Sequence, residues 1–153
     1  MKNKNLNNIA NKLVNAFLKN KIIAPIPLKY TKKLSEAQKL RILCEKKILK
    51  PIAGFKAAGT GIPMLKKLKE KEPFYAAVYK HNVLKNFKSV KINKFTLGIE
   101  LEVCYLIKKS FFDIKKKIIK KNYKTFITHI APCIEVVGYR QRKKGINSLG
   151  DLC

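Results

Sequence analysis

The chain has 153 residues, a hydrophobic fraction of 46% and a formal net charge of +26, from 35 Lys and Arg against nine Asp and Glu. The length suits one domain able to bury a core, and no run of roughly 18 or more apolar residues is present to serve as a transmembrane helix. Met1-Lys2-Asn3-Lys4-Asn5 is basic and the segment after it is amphipathic, with no clear cleavage site, so it does not read as a signal peptide.

From Asn3 to Asn20, Leu6, Ile9, Ala10, Leu13, Val14 and Phe17 follow the i, i+3, i+4, i+7 spacing of an amphipathic helix. Pro25 and Pro27 break it into an extended connector. Ser35, with Gln38 three residues on, has the pattern of a capping box opening a second helix. Ala37, Leu40, Ile42, Leu43 and Ile48 supply its apolar positions, and it should stop before Pro51. Ile52 to Ala58 is small and apolar and reads as a strand, followed by a turn at Gly59-Thr60-Gly61. Pro63 suits the first position of a short helix running to about Lys71. Phe74 to Tyr79 reads as a strand or extended loop, and Lys80-His81-Asn82 as a turn. Lys88 to Ile107 holds one or two strands, Phe111 to Lys121 a short lysine-rich helix, and Phe126 to Tyr139 a strand interrupted at Pro132. After Arg140 the chain is basic and polar. Helices first and a mostly antiparallel sheet after them make the class α+β, in one domain over 1–153.

The net charge invites a nucleic-acid reading. However, only Arg41, Arg140 and Arg142 among the 35 bases are Arg. Binders of nucleic acid favour the Arg fork. Lys, Asn, Ile, Phe and Tyr are plentiful and Trp is absent, which is the composition that A/T-rich codons produce. Nucleic acid is therefore not the expected partner, and a lysine-rich binding module is kept as the alternative. Cys44, Cys104, Cys133 and Cys153 are widely spaced and form no CxxC, so they are expected to be reduced thiols of a cytoplasmic protein and not a zinc site.

The scarce acids sit in informative places. In Thr96 to Ile107 the pattern has period two. Leu97, Ile99, Leu101, Val103, Tyr105 and Ile107 fall on one face, and Gly98, Glu100, Glu102 and Cys104 on the other. Glu135 lies between Ile134 and Val136 in a second apolar run. Three carboxylates in strand-like segments, with nothing basic adjacent, describe a hard-cation site for Mg²⁺ or Mn²⁺. The competing reading is a strand whose polar face meets water. Lys56 lies in the least charged stretch, Ile52 to Gly59. It reads as a snorkelling lysine, or as a cation facing an anionic substrate or a proton-transfer group. His81 and His129 are the only histidines; His129, in the Glu135 segment, reads as a ligand or base or, in preference, as a hydrogen-bonded structural histidine.

These pieces occur in a familiar order: Pro25-Ile26-Pro27, Glu36-Ala37-Gln38, Gly54-Phe55-Lys56, Ile62-Pro63-Met64, Glu72-Pro73-Phe74-Tyr75, Gly98-Ile99-Glu100-Leu101-Glu102, and Ala131-Pro132-Cys133-Ile134-Glu135-Val136-Val137-Gly138-Tyr139-Arg140. From about residue 6 to the end the chain resembles the 2-keto-4-pentenoate hydratases and their decarboxylase relatives, in the fumarylacetoacetate hydrolase superfamily. The resemblance implies a barrel-like mixed sheet, incomplete here at the C-terminus. It implies Mg²⁺ or Mn²⁺ on Glu100, Glu102 and Glu135, with Lys56 and Arg140 at a small 2-oxo acid. It implies addition of water to a 2-hydroxydienoate in aromatic catabolism. The chain departs from the pattern at Phe74, where the family carries an acid, at Ala76, where it carries Gly, and at Gly138-Tyr139-Arg140, where it reads Asp-Ser-Arg. Family chains run on past this length, so a homo-oligomer or a complementing C-terminal half is expected as partner.

Overall fold

A computed structural model of the chain describes residues 2–85, 88–92, 96–113 and 122–138. The described residues are α+β, with three α-helices and two small antiparallel sheets. The chain divides into two compact units, whose described parts are residues 2–92 and 96–138.

In the first unit, helix α1 spans Lys2–Leu18 and helix α2 spans Leu34–Lys47. The apolar stripe of α1 turns Ala10, Val14 and Ala16 inward. The helix closes where Asn20 takes a left-handed conformation, φ 49°, and the N–H of Lys21 donates to the carbonyl of Ala16 at 2.8 Å. That is a Schellman closure, and Asn tolerates it better than a β-branched residue would. Helix α2 begins one residue before Ser35. Its N-cap is Lys33, which makes no side-chain capping bond, so the capping box expected at Ser35 and Gln38 does not form. Glu36 in the first turn supplies negative charge there.

The buried side of α2 is Ala37, Leu40 and Arg41, with Ile48 just beyond its end, whereas Ile42, expected inside, is 42% exposed. A charged residue lies inside because its charge is met locally. Arg41 Nη1 donates to Glu45 Oε1 at 2.6 Å, and the guanidinium lies 4.6 Å from the centre of the Tyr75 ring. Glu45 Oε1 also accepts the backbone N–H of Ala77 at 3.0 Å, tying α2 to a strand.

That strand is β2, Phe74–Tyr79, paired antiparallel with β1, Ile52–Ala58, so that Lys56 lies opposite Ala76 and Phe55 opposite Ala77. Between them Gly59 takes φ 69°, a left-handed turn conformation that glycine adopts without strain. Helix α3, Ile62–Leu68, carries Pro63 in its first turn, and ends in a second Schellman closure through Lys69 at φ 56°. Val14, Ile48 and Tyr79 form the core cluster, with Phe17, Cys44 and Ala77 packed against it. Among the described residues Phe74 is the largest fully buried side chain.

The second unit is a long two-stranded ribbon. Strand β3, Thr96–Ile107, pairs antiparallel with β4, Ile127–Gly138. The interruption expected at Pro132 does not occur. Pro132 lies opposite Val103 within a continuous strand. An antiparallel pair has positions whose N–H points away from the partner, and at such a position on an edge strand Pro forfeits no ladder bond. Beyond the ribbon's end the N–H of Lys108 donates to the carbonyl of Phe126 at 2.8 Å, and Phe111 meets Phe126 edge-on at 5.7 Å. The Phe111 segment forms a 3₁₀ turn, Lys109–Asp113, where a short helix was expected, and the rest of that helix lies outside the described residues. Lys88 to Ile92 is described and is not strand. The described strands form two separate two-stranded sheets and do not curl into a barrel.

Candidate metal centre

The ribbon's register assembles the site. Directly opposed residues of an antiparallel pair share a face. Glu100 lies opposite Glu135, Glu102 opposite Cys133, Cys104 opposite Ala131, and Leu106 opposite His129. The other face carries Ile99 opposite Val136, Leu101 opposite Ile134, and Tyr105 opposite Ile130. Period two in the sequence thus becomes two chemically distinct surfaces.

One carboxylate oxygen from each of Glu100, Glu102 and Glu135 lies within 4.8 Å of the other two. Glu100 is exposed, while Glu102 and Glu135 are half-buried. No Lys or Arg occurs in either strand, although the chain carries 35 of them. Like charges directly opposite on a ribbon repel, so the Glu100–Glu135 pair is a local cost that a cation between the carboxylates would offset. The donor set fits a hard divalent ion: oxygen ligands only, anionic, convergent and open to water for the remaining positions. Exposed carboxylates also occur as a solvated face without an ion, and binding decides between the two.

Two thiols border the carboxylates. Cys133 is half-buried and Cys104 exposed, and both are free. They lie diagonally on the same face. Desolvation raises the pKa of the Cys133 thiol above its ordinary value, and Cys104, Glu102 and Glu135 push it the same way. Spacing along the chain did not reveal this pair, because 28 residues separate the two thiols and no short Cys motif links them. The signal that could have found it was parity: Cys104 shares its register face with Glu102, and Cys133 with Glu135.

His129 lies on the carboxylate face, four residues along β4 from Cys133 and beyond the thiols. His81 belongs to the first unit, in a 3₁₀ turn, stacked on Tyr79 at 6.1 Å and edge-on to Phe17 at 6.2 Å. That is a structural setting. Lys56 is half-buried in β1 of the first unit, opposite Ala76. Arg140 lies outside the described residues. The sequence-predicted residues that come together are therefore the three glutamates of the ribbon.

Comparisons of the chain with family models, with curated proteins and with solved structures each found no match. Among the described residues no helix is long and apolar enough to cross a membrane.

Proposed function

We propose that this protein binds a divalent cation, Mg²⁺ or Mn²⁺, through Glu100, Glu102 and Glu135, and that it is a hydratase-type lyase acting on a small 2-oxo acid. The observation that carries the reading is the convergence of the three carboxylates within 4.8 Å, on two strands that contain no Lys or Arg. The resemblance in the order of motifs supplies the reaction class. Once bound, the cation would chelate the 2-oxo acid and stabilise negative charge developing on its oxygen. Lys56 is assigned to the substrate carboxylate and keto group as a fixed positive charge, and Arg140 to substrate binding. The reading entails a larger curled, barrel-like sheet, to which a second copy or a complementing C-terminal half contributes strands. Decarboxylation of a 2-oxo acid by the same residues is the alternative within the class.

Manganese binding followed by electron paramagnetic resonance tests it. The parent should sequester Mn²⁺, and the Glu100→Gln/Glu102→Gln double variant should lose about 100-fold or more in affinity, since even indirect supports of a metal site are worth about 10–100-fold. Oxalate, a 2-oxo acid mimic, should bind the Mn²⁺-loaded parent and bind Lys56→Met more weakly. Equal Mn²⁺ affinity in parent and double variant would sink the cation reading. Oxalate affinity unchanged in Lys56→Met would return that lysine to the surface. A lysine-rich nucleic-acid module, the competing class, predicts instead a shift on mixed DNA whose steep salt dependence reports several phosphate contacts.

A further inference from the structure

We infer that Phe55 and Tyr75, with the lysine-lined groove beside them, form a platform on which the bases of a single-stranded polynucleotide stack. The site belongs to the first unit and does not rest on the cation or 2-oxo acid reading of the ribbon.

The platform follows from the register of β1 with β2. Phe55 is opposite Ala77, and Ala57 is opposite Tyr75, so Phe55 and Tyr75 are diagonal neighbours on one face. Lys56, opposite Ala76, belongs to the other face. Along β2 the aromatic face passes from covered to open. Tyr79 is buried and Ala77 packs against the core, whereas Tyr75 is 54% exposed and Phe55 55%. The two rings meet edge to face, with centroids 5.9 Å apart and planes at 80°. The Arg41 guanidinium lies 4.6 Å from the centre of the Tyr75 ring, and Arg41 is itself buried and bonded to Glu45. An exposed ring braced by a buried cation is a surface on which a planar base can stack, and such stacking accepts any base.

The groove comes next along the same two elements. Glu45 meets Ala77, and Arg41 meets Tyr75. Gln38 is one turn earlier on α2, Glu72 is three residues before Tyr75, and both line a groove of about 930 Å³. Three residues of chain span at most about 11 Å, so the groove begins beside the platform. It carries Lys32, Lys33, Lys69 and Lys71 against Glu70 and Glu72, and all four lysines are exposed. A formal net charge of +26 attracts any polyanion. The rings select among polyanions. An acidic peptide engages the lysines alone, whereas a single strand places its phosphates on the lysines and its bases on Phe55 and Tyr75. A duplex keeps its bases stacked on one another and leaves the rings unused.

The test is fluorescence anisotropy of a labelled oligodeoxythymidylate of about 15 nucleotides, titrated with the full chain at low salt. The parent should bind it, and duplex DNA of the same length, polyglutamate and phosphatidylserine vesicles should each compete more weakly than unlabelled oligodeoxythymidylate. Phe55→Leu and Tyr75→Leu keep an apolar side chain and remove the ring. Each should weaken binding by about 5-fold to about 150-fold, the worth of one stacked base, with circular dichroism matching the parent's. Lys69→Gln/Lys71→Gln should reduce the slope of log affinity against log salt by about 1.4, for two phosphates at about 0.7 each. Glu100→Gln should bind the oligonucleotide as the parent does while losing Mn²⁺ affinity, which separates this site from the carboxylate cluster. No binding by the parent, equal competition by duplex, polyglutamate or vesicles, or undiminished binding by either leucine variant would overturn the inference.

Discussion

Cys44 shows how one half-buried side chain records its surroundings. Its thiol reaches toward the carbonyl of Ala10 at 3.9 Å, at the contact of α2 with α1. Burial first, and then the charge of Glu45, push its pKa from an ordinary 9.0 to about 11, with Lys47 opposing. A thiol whose folded pKa is raised stabilises the fold fully below its unfolded pKa. That contribution is lost as pH rises through the folded pKa. The window is therefore between pH 9 and about 11. Urea unfolding of the parent should show stability falling across that window. In Cys44→Ala the fall should be smaller by up to about 3 kcal/mol, at about 1.4 kcal/mol per pKa unit. Identical slopes in the two proteins would mean that Cys44 titrates in the folded state as it does in the unfolded chain. Tyr79 is raised as well, by burial and then by the charges of Glu45 and Cys44, so part of the difference between the two proteins passes through its phenol. Arg41 is the residue that apolar patterning alone misplaces. Ala37 and Leu40 were expected inside, but that a guanidinium would join them, with Ile42 turned outward, was not. The reason is that its partners are Glu45, one turn on, and Tyr75, which the chain reaches only after two further elements.

At the scale of elements, the β3–β4 ribbon carries an electrostatic conflict that a cation would reverse. Glu100 opposite Glu135 is a like-charge cross-strand pair, and such pairs are destabilising by about 0.2–1 kcal/mol. Glu135→Gln removes the repulsion and one proposed ligand together. The variant should melt above the parent in a chelator and below it in millimolar Mn²⁺, because binding to the folded state adds stability in proportion to affinity. Differential scanning fluorimetry under the two conditions reads both signs. A variant more stable than the parent in both would leave the glutamates as a solvated face. The ribbon also shows why strand existence was easier to read than strand continuity. Alternation over Thr96–Ile107 is a local property, while the tolerance of Pro132 depends on lying opposite Val103 in a strand with a free edge.

At the scale of the whole molecule, the apolar face of the ribbon is the main unspent driving force. Leu97, Ile99, Leu101, Ile130 and Ile134 are each between 64% and 84% exposed. Covering about 100 Å² on each, at about 25 cal/mol per Å², would gain about 2–3 kcal/mol per residue. Contiguous exposed patches of this kind mark association surfaces. We expect the parent to sediment as an associated species in analytical ultracentrifugation, and Leu101→Lys/Ile134→Lys to shift it toward monomer. A monomeric parent with a sharp cooperative melt would contradict this. The sequence by itself determined the α+β class, the positions of α1, α2, β1 and β2, and the division of β3 into an apolar and an acidic face. Each follows from helical or alternating periodicity, from proline, or from a glycine free to adopt positive φ, all of which act within a few residues. Tertiary structure alone decided that Glu135 meets Glu100, that Cys133 shares a face with Cys104, and that Arg41 is buried. These depend on the pairing register and on partners distant in the chain, and a one-residue slip of β4 would have put Glu135 and Cys133 on the apolar face.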